Sequence, residues 1–336
     1  MAPRILVFGA GSLGAVYTWV LSRVTPESNI TAICRSNHDA AFRNGFTLNS
    51  TIWGHELTVR PQIVRSISEA VTQAHFQPFD YILVTTKAIP TTPSTAELIR
   101  PAITPGTTAV VLVQNGIGIE EEYARLYADD DVPILSVVAY LPATQVEPAV
   151  IHHDVTEHSH VGTYPAFGVP EKHKRSAQTF VELLTTAGAT ATLHDDVQTQ
   201  RWGKLLINGS WNPICALTRL RDKQFVESGS QDSEDNEAFR LVREVMLEIA
   251  SVAQACGHKD IDEKLVDFQI GRVNRRGFTG IQPSMMADAL GMRALEADAI
   301  VGNAVKIAKE KNVPVPMLRA MYLLARGLSA SFSLTK

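Results

Sequence analysis

The sequence has few cysteines, no long apolar run and no excess of charge of one sign. Only 3 of its 336 residues are cysteines (Cys34, Cys215 and Cys256), and their wide spacing argues against a disulfide framework or a cysteine zinc site. No segment reaches the roughly 18 uninterrupted apolar residues that a membrane span needs. The N-terminus leads into a predicted strand without the pattern of a signal peptide. We therefore predict a cytoplasmic protein that does not contact a membrane.

The charge balance bears on possible partners. The 31 basic and 35 acidic residues give a formal net charge of −4. No basic excess is available to neutralise a phosphate backbone, so we do not expect nucleic acid as a partner. The composition, 45% hydrophobic and 20% charged, is ordinary for a globular chain and argues against disorder. The length suggests about two domains.

Short apolar runs alternate with helix-like spacing in the first part of the chain. This alternation predicts a doubly wound parallel sheet of the Rossmann type. The segment 46–60, with Trp53-Gly54 at its turn, reads as an inserted hairpin. The predicted strands are 4–8, 30–34, 81–85, 108–113, 134–140, 158–163 and 191–194, and the predicted helices are 13–24 and 172–187.

Helical periodicity dominates from about residue 196, so we predict an all-α C-terminal domain. The predicted domains are 1–195 and 196–336. Pro213 is expected to end or kink the first of these helices. The acidic stretch 228–236 is expected to be a solvated loop. The helical stretches are 197–211, 237–256, 285–310 and 317–328.

A glycine-rich turn follows the first predicted strand and opens a helix. The sequence from Gly9 to Gly14 is Gly-Ala-Gly-Ser-Leu-Gly, a GxGxxG match in the context that confirms it. Gly9 permits the tight turn, Gly11 lets a pyrophosphate approach, and Gly14 lets the helix pack close. The helix N-terminus, with Ser12 and Leu13, offers N–H groups to the phosphates. The alternative is a plain strand–helix turn.

The end of the second strand indicates which dinucleotide binds. NAD-binding chains usually carry Asp or Glu there, whereas this chain has Cys34-Arg35-Ser36-Asn37. Arg35 can pair with a 2′-phosphate, and Ser36 and Asn37 can act as neutral donors. We therefore predict NADP(H), against the alternative that Arg35 is an ordinary surface residue.

Two polar side chains follow predicted strands of the sheet. Lys87 ends the strand that begins at Tyr81, and Asn115 follows the next one. Ligands of open α/β sheets sit beyond the carboxyl ends of the strands, so both residues are candidates for ligand contact. The alternatives are solvation and turn chemistry, the latter a serious one for Asn115-Gly116.

The helical region holds a sharper pattern. Lys204, Asn208 and Asn212 are spaced i, i+4, i+8 and share one helix face. A lysine flanked by apolar residues and partly desolvated has a lowered pKa and can donate a proton. A solvated polar stripe is the alternative. Spacing alone does not decide which carboxylate could be its partner, and the three candidates are Asp288, Glu296 and Asp298.

Histidines at positions 158 and 160 would share a strand face. No cysteine or well-spaced carboxylate completes a metal site around them. We therefore favour solvated strand histidines and predict no metal.

Taken together, these motifs resemble the ketopantoate reductase (2-dehydropantoate 2-reductase) family over nearly the whole chain. The specific part is the K-x3-N-x3-N-P run from Lys204 to Pro213, followed by the PSMMAD segment and Glu296. The resemblance also rests on the glycine turn, Arg35, the VTTK strand end at Lys87 and the QNG at Asn115.

The resemblance implies NADPH-dependent reduction of a 2-keto acid, with the active site between a Rossmann domain and a helical domain. It makes Lys204 the general acid and Glu296 its carboxylate partner, which also holds the substrate hydroxyl. Substrate contacts fall to Asn208, Asn212 and Ser284. Lys87 and Asn115 would lie where cofactor meets substrate. A monomer or homodimer is expected.

Two positions depart from the family pattern, since Asp222 and Ile281 stand where the family often has asparagines. If Asp222 faces the pocket as a substrate-binding residue, it would repel a carboxylate and favour another 2-keto acid or an imine. The alternative is that it points to solvent beside basic neighbours. A non-catalytic NADPH-binding regulator is a further alternative, against which the Lys204 and Glu296 pair argues.

Overall fold

The computed structural model describes residues 2–229, 236–277 and 279–334. The chain divides into two compact units. The N-terminal unit comprises Met1–Lys87, Thr91–Gln114 and Glu120–Val197. The helical unit comprises Ala88–Pro90, Asn115–Ile119 and Gln198–Lys336, so two short segments that follow strands belong to it.

Four strands in the middle of the main sheet, β1, β2, β6 and β7, are short and fully buried. Continuous runs such as ILVF and YILV bury every side chain, as expected where both faces of a parallel sheet are covered. The strands are β1 (Ile5–Phe8), β2 (Ile30–Ile33), β3 (Phe46–Ser50), β4 (Gly54–Val59), β5 (Gln62–Val64), β6 (Tyr81–Val84), β7 (Ala109–Leu112), β8 (Ile134–Tyr140), β9 (Ala143–Glu147), β10 (Val150–His153), β11 (His158–Tyr164) and β12 (Ala191–Leu193).

The main sheet has the order β12-β11-β8-β7-β6-β1-β2-β5 within the described residues. Its neighbours are parallel, except that β11 runs antiparallel to β8. In the central register, Ile5 of β1 lies opposite Ile30 and Tyr81. The predicted doubly wound sheet is confirmed.

A second sheet of the N-terminal unit has the order β4-β3-β10-β9. The predicted hairpin is confirmed, because β3 pairs antiparallel with β4 and Phe46 lies opposite Val59. Sequence reasoning missed the partners β9 and β10. β3 pairs parallel with β10, which pairs antiparallel with β9.

Helices pack around the main sheet, and the first of them, α1, is almost wholly buried. The helices of the N-terminal unit are α1 (Ser12–Ser22), α2 (His38–Asn44), α3 (Ile67–Gln73), α4 (Thr95–Ile99), α5 (Glu121–Leu126) and α6 (Glu171–Thr186).

The helical unit is built around α7, which packs against α9, α11 and α13. Its apolar core includes Leu206, Trp211, Val242 and Met246. The predicted all-α class of this region is confirmed. The helices are α7 (Gln198–Thr218), α8 (Asp222–Gly229), α9 (Glu237–Ala255), α10 (Glu263–Asn274), α11 (Ser284–Leu290), α12 (Asn303–Glu310) and α13 (Pro316–Leu334), with a π-helical segment at Asp298–Gly302.

Two local predictions for this region need correction. Pro213 does not end its helix, because burial of Trp211 and Ile214 on either side offsets the roughly 3 kcal/mol that an interior proline costs. The stretch 285–310 is not one helix. α11 ends before Gly291, and Met292, with φ 49, adopts a left-handed conformation that interrupts the helix.

Only part of the predicted loop at 228–236 lies within the described residues. Residues 230–235 lie outside the described residues. Ser228 and Gly229 end α8, and the Asn236 side chain caps α9 by accepting a hydrogen bond from the backbone N–H of Phe239. Among the described residues, none of the helices combines the length and apolar character that crossing a bilayer requires.

Candidate active site

The glycine-rich turn joins β1 to α1 with little space to spare. Gly9 has φ +100, a left-handed conformation that favours glycine, and a Cβ built there would lie 2.4 Å from Thr86 Cγ2. A Cβ on Gly14 would lie 2.7 Å from the Gly9 carbonyl oxygen. A Cβ on Gly11, by contrast, would meet no described atom within 4 Å beyond its chain neighbours. The turn is therefore tight at both ends and open in the middle.

The groups around the open position fit a phosphate. Gly11 caps α1 without a side-chain hydrogen bond, and no acidic residue lies in the first turn of the helix. The Ser12 hydroxyl accepts a hydrogen bond from the Gln145 backbone N–H at 2.9 Å, which leaves its own proton to donate. The buried Thr86 hydroxyl makes no hydrogen bond within the part of the chain that the structure describes. Free N–H groups at a helix N-terminus and uncommitted donors are what a dinucleotide pyrophosphate needs.

The residues after β2 differ in what they can offer. Arg35 and Ser36 are exposed, and the Arg35 guanidinium makes no hydrogen bond or ion pair with a described residue. Asn37 is buried, and its amide nitrogen donates to the Ala10 carbonyl at 2.8 Å and to Gln145 Oε1 at 3.0 Å. Both amide protons of Asn37 are thus used inside the protein. The Arg35 guanidinium is available to bind a ligand, whereas the side-chain donors of Asn37 are not.

Lys87 and Asn115 follow the neighbouring strands β6 and β7 but belong to different units. Lys87 is the last residue of its segment in the N-terminal unit and is exposed. Asn115 opens the segment Asn115–Ile119, which is counted with the helical unit.

In the helical unit, α7 presents Lys204 to Asn115. Lys204 Nζ donates a hydrogen bond to Asn115 Oδ1 at 2.7 Å. The pKa of Lys204 is lowered to about 7, chiefly by burial and next by the Arg201 charge, while the Glu296 charge acts in the opposite direction. Glu296 is buried and accepts a hydrogen bond from the Ala88 N–H at 2.8 Å through Oε1. The electrostatics single out Glu296, among the three candidate carboxylates, as a charge that acts on Lys204.

Other proposed substrate residues lie on the same unit. Asn208 is partly buried on α7, and Asn212 is buried with an amide nitrogen that makes no hydrogen bond to a described residue. Ser284 is exposed at the start of α11, after the exposed Ile281. The two amides on one face of α7 and the Ser284 hydroxyl could bind a small polar ligand. Their roles in substrate binding remain predictions.

Asp222 is neither exposed nor free. It is 1% exposed, which rules out the alternative that it points to solvent. Its Oδ2 forms an ion pair with the Arg276 guanidinium. Its Oδ1 accepts hydrogen bonds of 2.7 Å from the backbone N–H groups of Lys223 and Ile281. Both carboxylate oxygens are therefore engaged with protein donors, and a substrate contact by Asp222 would have to compete with them.

Sequence reasoning also missed Arg201, which is buried on α7 and donates to the Gly116 carbonyl at 2.9 Å. Its spacing of three residues before Lys204 was the available signal. Gln145 had no comparable signal, since the hydrogen bond to Ser12 spans 133 positions.

The histidines of β11 pack with each other and with a third. The rings of His158 and His160 are 4.1 Å apart, and His160 Nδ1 lies 2.9 Å from His194 Nε2. Within residues 2–229, 236–277 and 279–334, no three His, Cys, Asp or Glu side chains are grouped so that they could hold a metal ion.

Comparison with known proteins identifies the family. Residues 5–166 match the family model "Ketopantoate reductase PanE/ApbA", and residues 196–329 match "Ketopantoate reductase PanE/ApbA C terminal". The first match falls within the N-terminal part of the chain, and the second covers most of the helical part. The chain belongs to the ketopantoate reductase family. Membership of this family indicates that the protein is an oxidoreductase.

The following relatives are distant but match over more than nine tenths of both chains. The uncharacterized protein YDL144C of Saccharomyces cerevisiae is 29% identical over 96% of this chain and 92% of its own. The crystal structure of 2-dehydropantoate 2-reductase from Methylococcus capsulatus is 27% identical, with a TM-score of 0.81 over 98% of this chain and 97% of that chain. D-mandelate dehydrogenase with NADH and anilino(oxo)acetate has a TM-score of 0.80 at 20% identity over 98% of this chain and 99% of that chain, a likeness of fold alone.

Proposed function

We propose that the protein reduces a 2-keto acid to a 2-hydroxy acid with NADPH, and that ketopantoate, reduced to pantoate, is its first candidate substrate. The observation that carries the proposal is the Lys204 ammonium. It is held at 2.7 Å by a neutral amide oxygen and has a pKa lowered to about 7 in a chain of this family. A group with a pKa near neutrality is an efficient proton donor.

The chain's residues have defined tasks in this reaction. When bound, a nicotinamide dinucleotide would supply a hydride to the carbonyl carbon of the substrate. The carbonyl π electrons move onto the oxygen, and Lys204 Nζ gives that oxygen a proton and becomes a neutral amine. Before this transfer, the cation stabilises the developing alkoxide. Solvent then returns the proton to Lys204.

Neighbouring residues hold the donor and the substrate. Asn115 orients the ammonium through its amide oxygen. Glu296 favours the protonated form of Lys204, as its effect on the lysine pKa indicates, and is proposed to hold the substrate hydroxyl. Asn208, Asn212 and Ser284 are the proposed substrate contacts.

The cofactor residues are proposed on local geometry. Gly9, Gly11 and Gly14 shape the turn, and Ser12 and Leu13 offer donors at the helix start. Lys87 is proposed to contact the cofactor near the reacting end. NADP(H) is preferred to NAD(H) because Arg35 is exposed and uncommitted, which suits it to a 2′-phosphate.

The finer organisation also belongs to the proposal. We assign dinucleotide binding to residues 1–195 and substrate binding to residues 196–336. A cytoplasmic location, a monomeric or homodimeric state, and the absence of nucleic acid and membrane partners stay predictions from the sequence.

Another 2-keto acid is the second candidate for the substrate. The exposed Ile281 stands near Ser284 where the family often has an amide, and an apolar side chain there suits a bulkier substrate. D-mandelate dehydrogenase shares the fold, so an aryl 2-keto acid belongs in the test. An imine reductase and a non-catalytic NADPH-binding regulator are the remaining alternatives.

The test is the loss of NADPH absorbance with purified protein. Ketopantoate, an aryl 2-keto acid, a branched aliphatic 2-keto acid and a cyclic imine are compared at equal concentration, with NADH in parallel. We expect turnover of a 2-keto acid with NADPH, and a kcat about 10²- to 10⁴-fold lower with Lys204→Ala. NADPH binding without turnover of any of these compounds would favour the regulator.

A further inference from the structure

Arg201 lies one helical turn before Lys204 and touches the loop that holds the Lys204 partner. Residues three apart on a helix are neighbours on its surface, so the two cations share a face of α7. Arg201 is 3% exposed, and its Nη1 donates a hydrogen bond of 2.9 Å to the carbonyl oxygen of Gly116. Gly116 follows Asn115 directly, so Arg201 reaches the peptide next to the residue that accepts from Lys204.

The peptide bond between Gly116 and Ile117 is held on both sides. Its carbonyl accepts from Arg201, and its N–H donates to the Ala299 carbonyl at 3.1 Å. Asn303 adds a hydrogen bond of 2.8 Å from its amide to the Ile117 carbonyl. The loop therefore has a fixed position against the segment that follows Glu296.

Contact with that segment is close enough to require glycine. Gly116 has φ +105, and a Cβ built there would lie 2.3 Å from the Ala299 carbonyl oxygen. Ala299 belongs to the π-helical segment Asp298–Gly302, a conformation that is often found at functional sites. Because this contact is so close, the loop cannot adjust to compensate for the loss of its hydrogen bond to Arg201 on α7.

We propose that Arg201 is a positioning residue of the site that contains Lys204. Its hydrogen bond to Gly116 keeps the Asn115 oxygen on the ammonium of Lys204, and its buried positive charge beside Lys204 favours release of the proton. Two charged groups act on Lys204, Arg201 from its own helix and Glu296 from the segment before the π-helical turn. Burial is the main cause of the lowered pKa, and the Arg201 charge acts in the same direction, against Glu296. The inference rests on the proposed function for its effect on catalysis, but its electrostatic part does not.

Two substitutions separate the roles of charge and hydrogen bond. Arg201→Gln removes the charge, and Arg201→Lys keeps it while losing the planar fork that reaches Gly116. Arg243→Gln is the matched control. It removes a partly buried arginine of the same unit, one paired with Glu263 and Asp267 on the neighbouring helix.

The first measurement is the titration of Lys204 itself, followed by NMR in lysine-labelled protein with the resonance assigned from Lys204→Met. We expect Arg201→Gln to raise the titration midpoint by about one pH unit, since a like charge that lowers the pKa of Lys204 has been removed. Arg201→Lys and Arg243→Gln should stay close to the wild type. An unchanged midpoint in folded Arg201→Gln would overturn the electrostatic part, and this holds whether or not the protein proves to be a reductase.

The second measurement is the pH profile of kcat for keto-acid reduction. In Arg201→Gln, the pH at which kcat falls should rise by the same amount as the titration midpoint of Lys204. In Arg201→Lys, that pH should stay the same while the plateau falls about tenfold, because one charge-assisted hydrogen bond is lost. NADPH affinity should not change in either variant. If Arg201→Gln does not fold, a plateau kcat in Arg201→Lys equal to that of the wild type still overturns the positioning role. Absence of keto-acid turnover in the wild type overturns the proposed function instead.

Discussion

Lys204 Nζ donates to Asn115 Oδ1 at 2.7 Å, and this hydrogen bond joins residues 89 positions apart in the chain. The acceptor is a neutral amide, so it orients the ammonium without stabilising its charge as a carboxylate would. Burial can then lower the pKa of Lys204 to about 7 even though Glu296 acts in the opposite direction. A lysine held in this way is oriented and ready to give up its proton near neutral pH.

The first prediction concerns pH. Lys204 carries the transferable proton below its pKa of about 7 and loses it above, so kcat for reduction should fall as pH rises through 7. The reverse oxidation needs the neutral amine and should show the opposite trend. Stopped-flow measurement of NADPH consumption across pH tests this. Lys204→Ala should lower kcat by about 10²- to 10⁴-fold and abolish the limb. Persistence of the same limb in Lys204→Ala would assign it to another group.

The second prediction concerns the cofactor. Arg35→Ala should weaken NADPH binding by about 1.5–3 kcal/mol, the usual contribution of a hydrogen bond to a charged group, and leave NADH binding nearly unchanged. Fluorescence titration of the two cofactors measures the difference. Arg43→Ala, an exposed residue at the end of α2, serves as the control for lost surface charge. Equal losses for NADPH and NADH would contradict the 2′-phosphate assignment.

The strands and long helices were predictable because their signals are local. Buried runs such as residues 5–8 and 81–84 identify parallel strands, and the GxGxxG spacing identifies the turn between β1 and α1. β9 and β10 were not predicted. The exposed Val146 of β9 and the two histidines of β10 give no alternation of apolar and polar residues, and the pairing of β10 with β3 joins segments distant in sequence.

Site residues divide in the same way. Helical spacing brings Lys204 and Asn208 together on α7, and the sequence is enough to see it. It does not reveal that Arg201 holds the loop after β7, because that hydrogen bond spans 85 positions. Nor does it reveal that Asp222 is paired with Arg276, since a carboxylate near several basic residues is most often a solvated one.

The third prediction distinguishes two glycines of the same turn. Gly11→Ala should leave the fold intact, because its φ of −79 suits alanine and a Cβ there meets open space, but it should weaken cofactor binding by filling the phosphate position. Gly14→Ala places a Cβ 2.7 Å from the Gly9 carbonyl oxygen and should cost about 1–3 kcal/mol of stability. Thermal unfolding and NADPH titration of both variants provide the comparison. A loss of stability in Gly11→Ala as large as in Gly14→Ala would show that position 11 is not open.

The fourth prediction concerns Asp222, whose carboxylate binds the Arg276 guanidinium and two backbone N–H groups. Asp222→Asn removes the charge that pairs with Arg276 and should lower the free energy of unfolding by about 1–3 kcal/mol, the cost of leaving a buried hydrogen-bonding group unsatisfied. Urea denaturation measures this loss. The double variant Asp222→Asn with Arg276→Met should lose less than the sum of the two single variants, because it leaves no unpaired charge. If Asp222 instead faced the substrate, the single variant would raise kcat/KM for ketopantoate by about tenfold through relief of ~1.4 kcal/mol of repulsion. We expect no such gain, because both carboxylate oxygens already serve the protein's own donors.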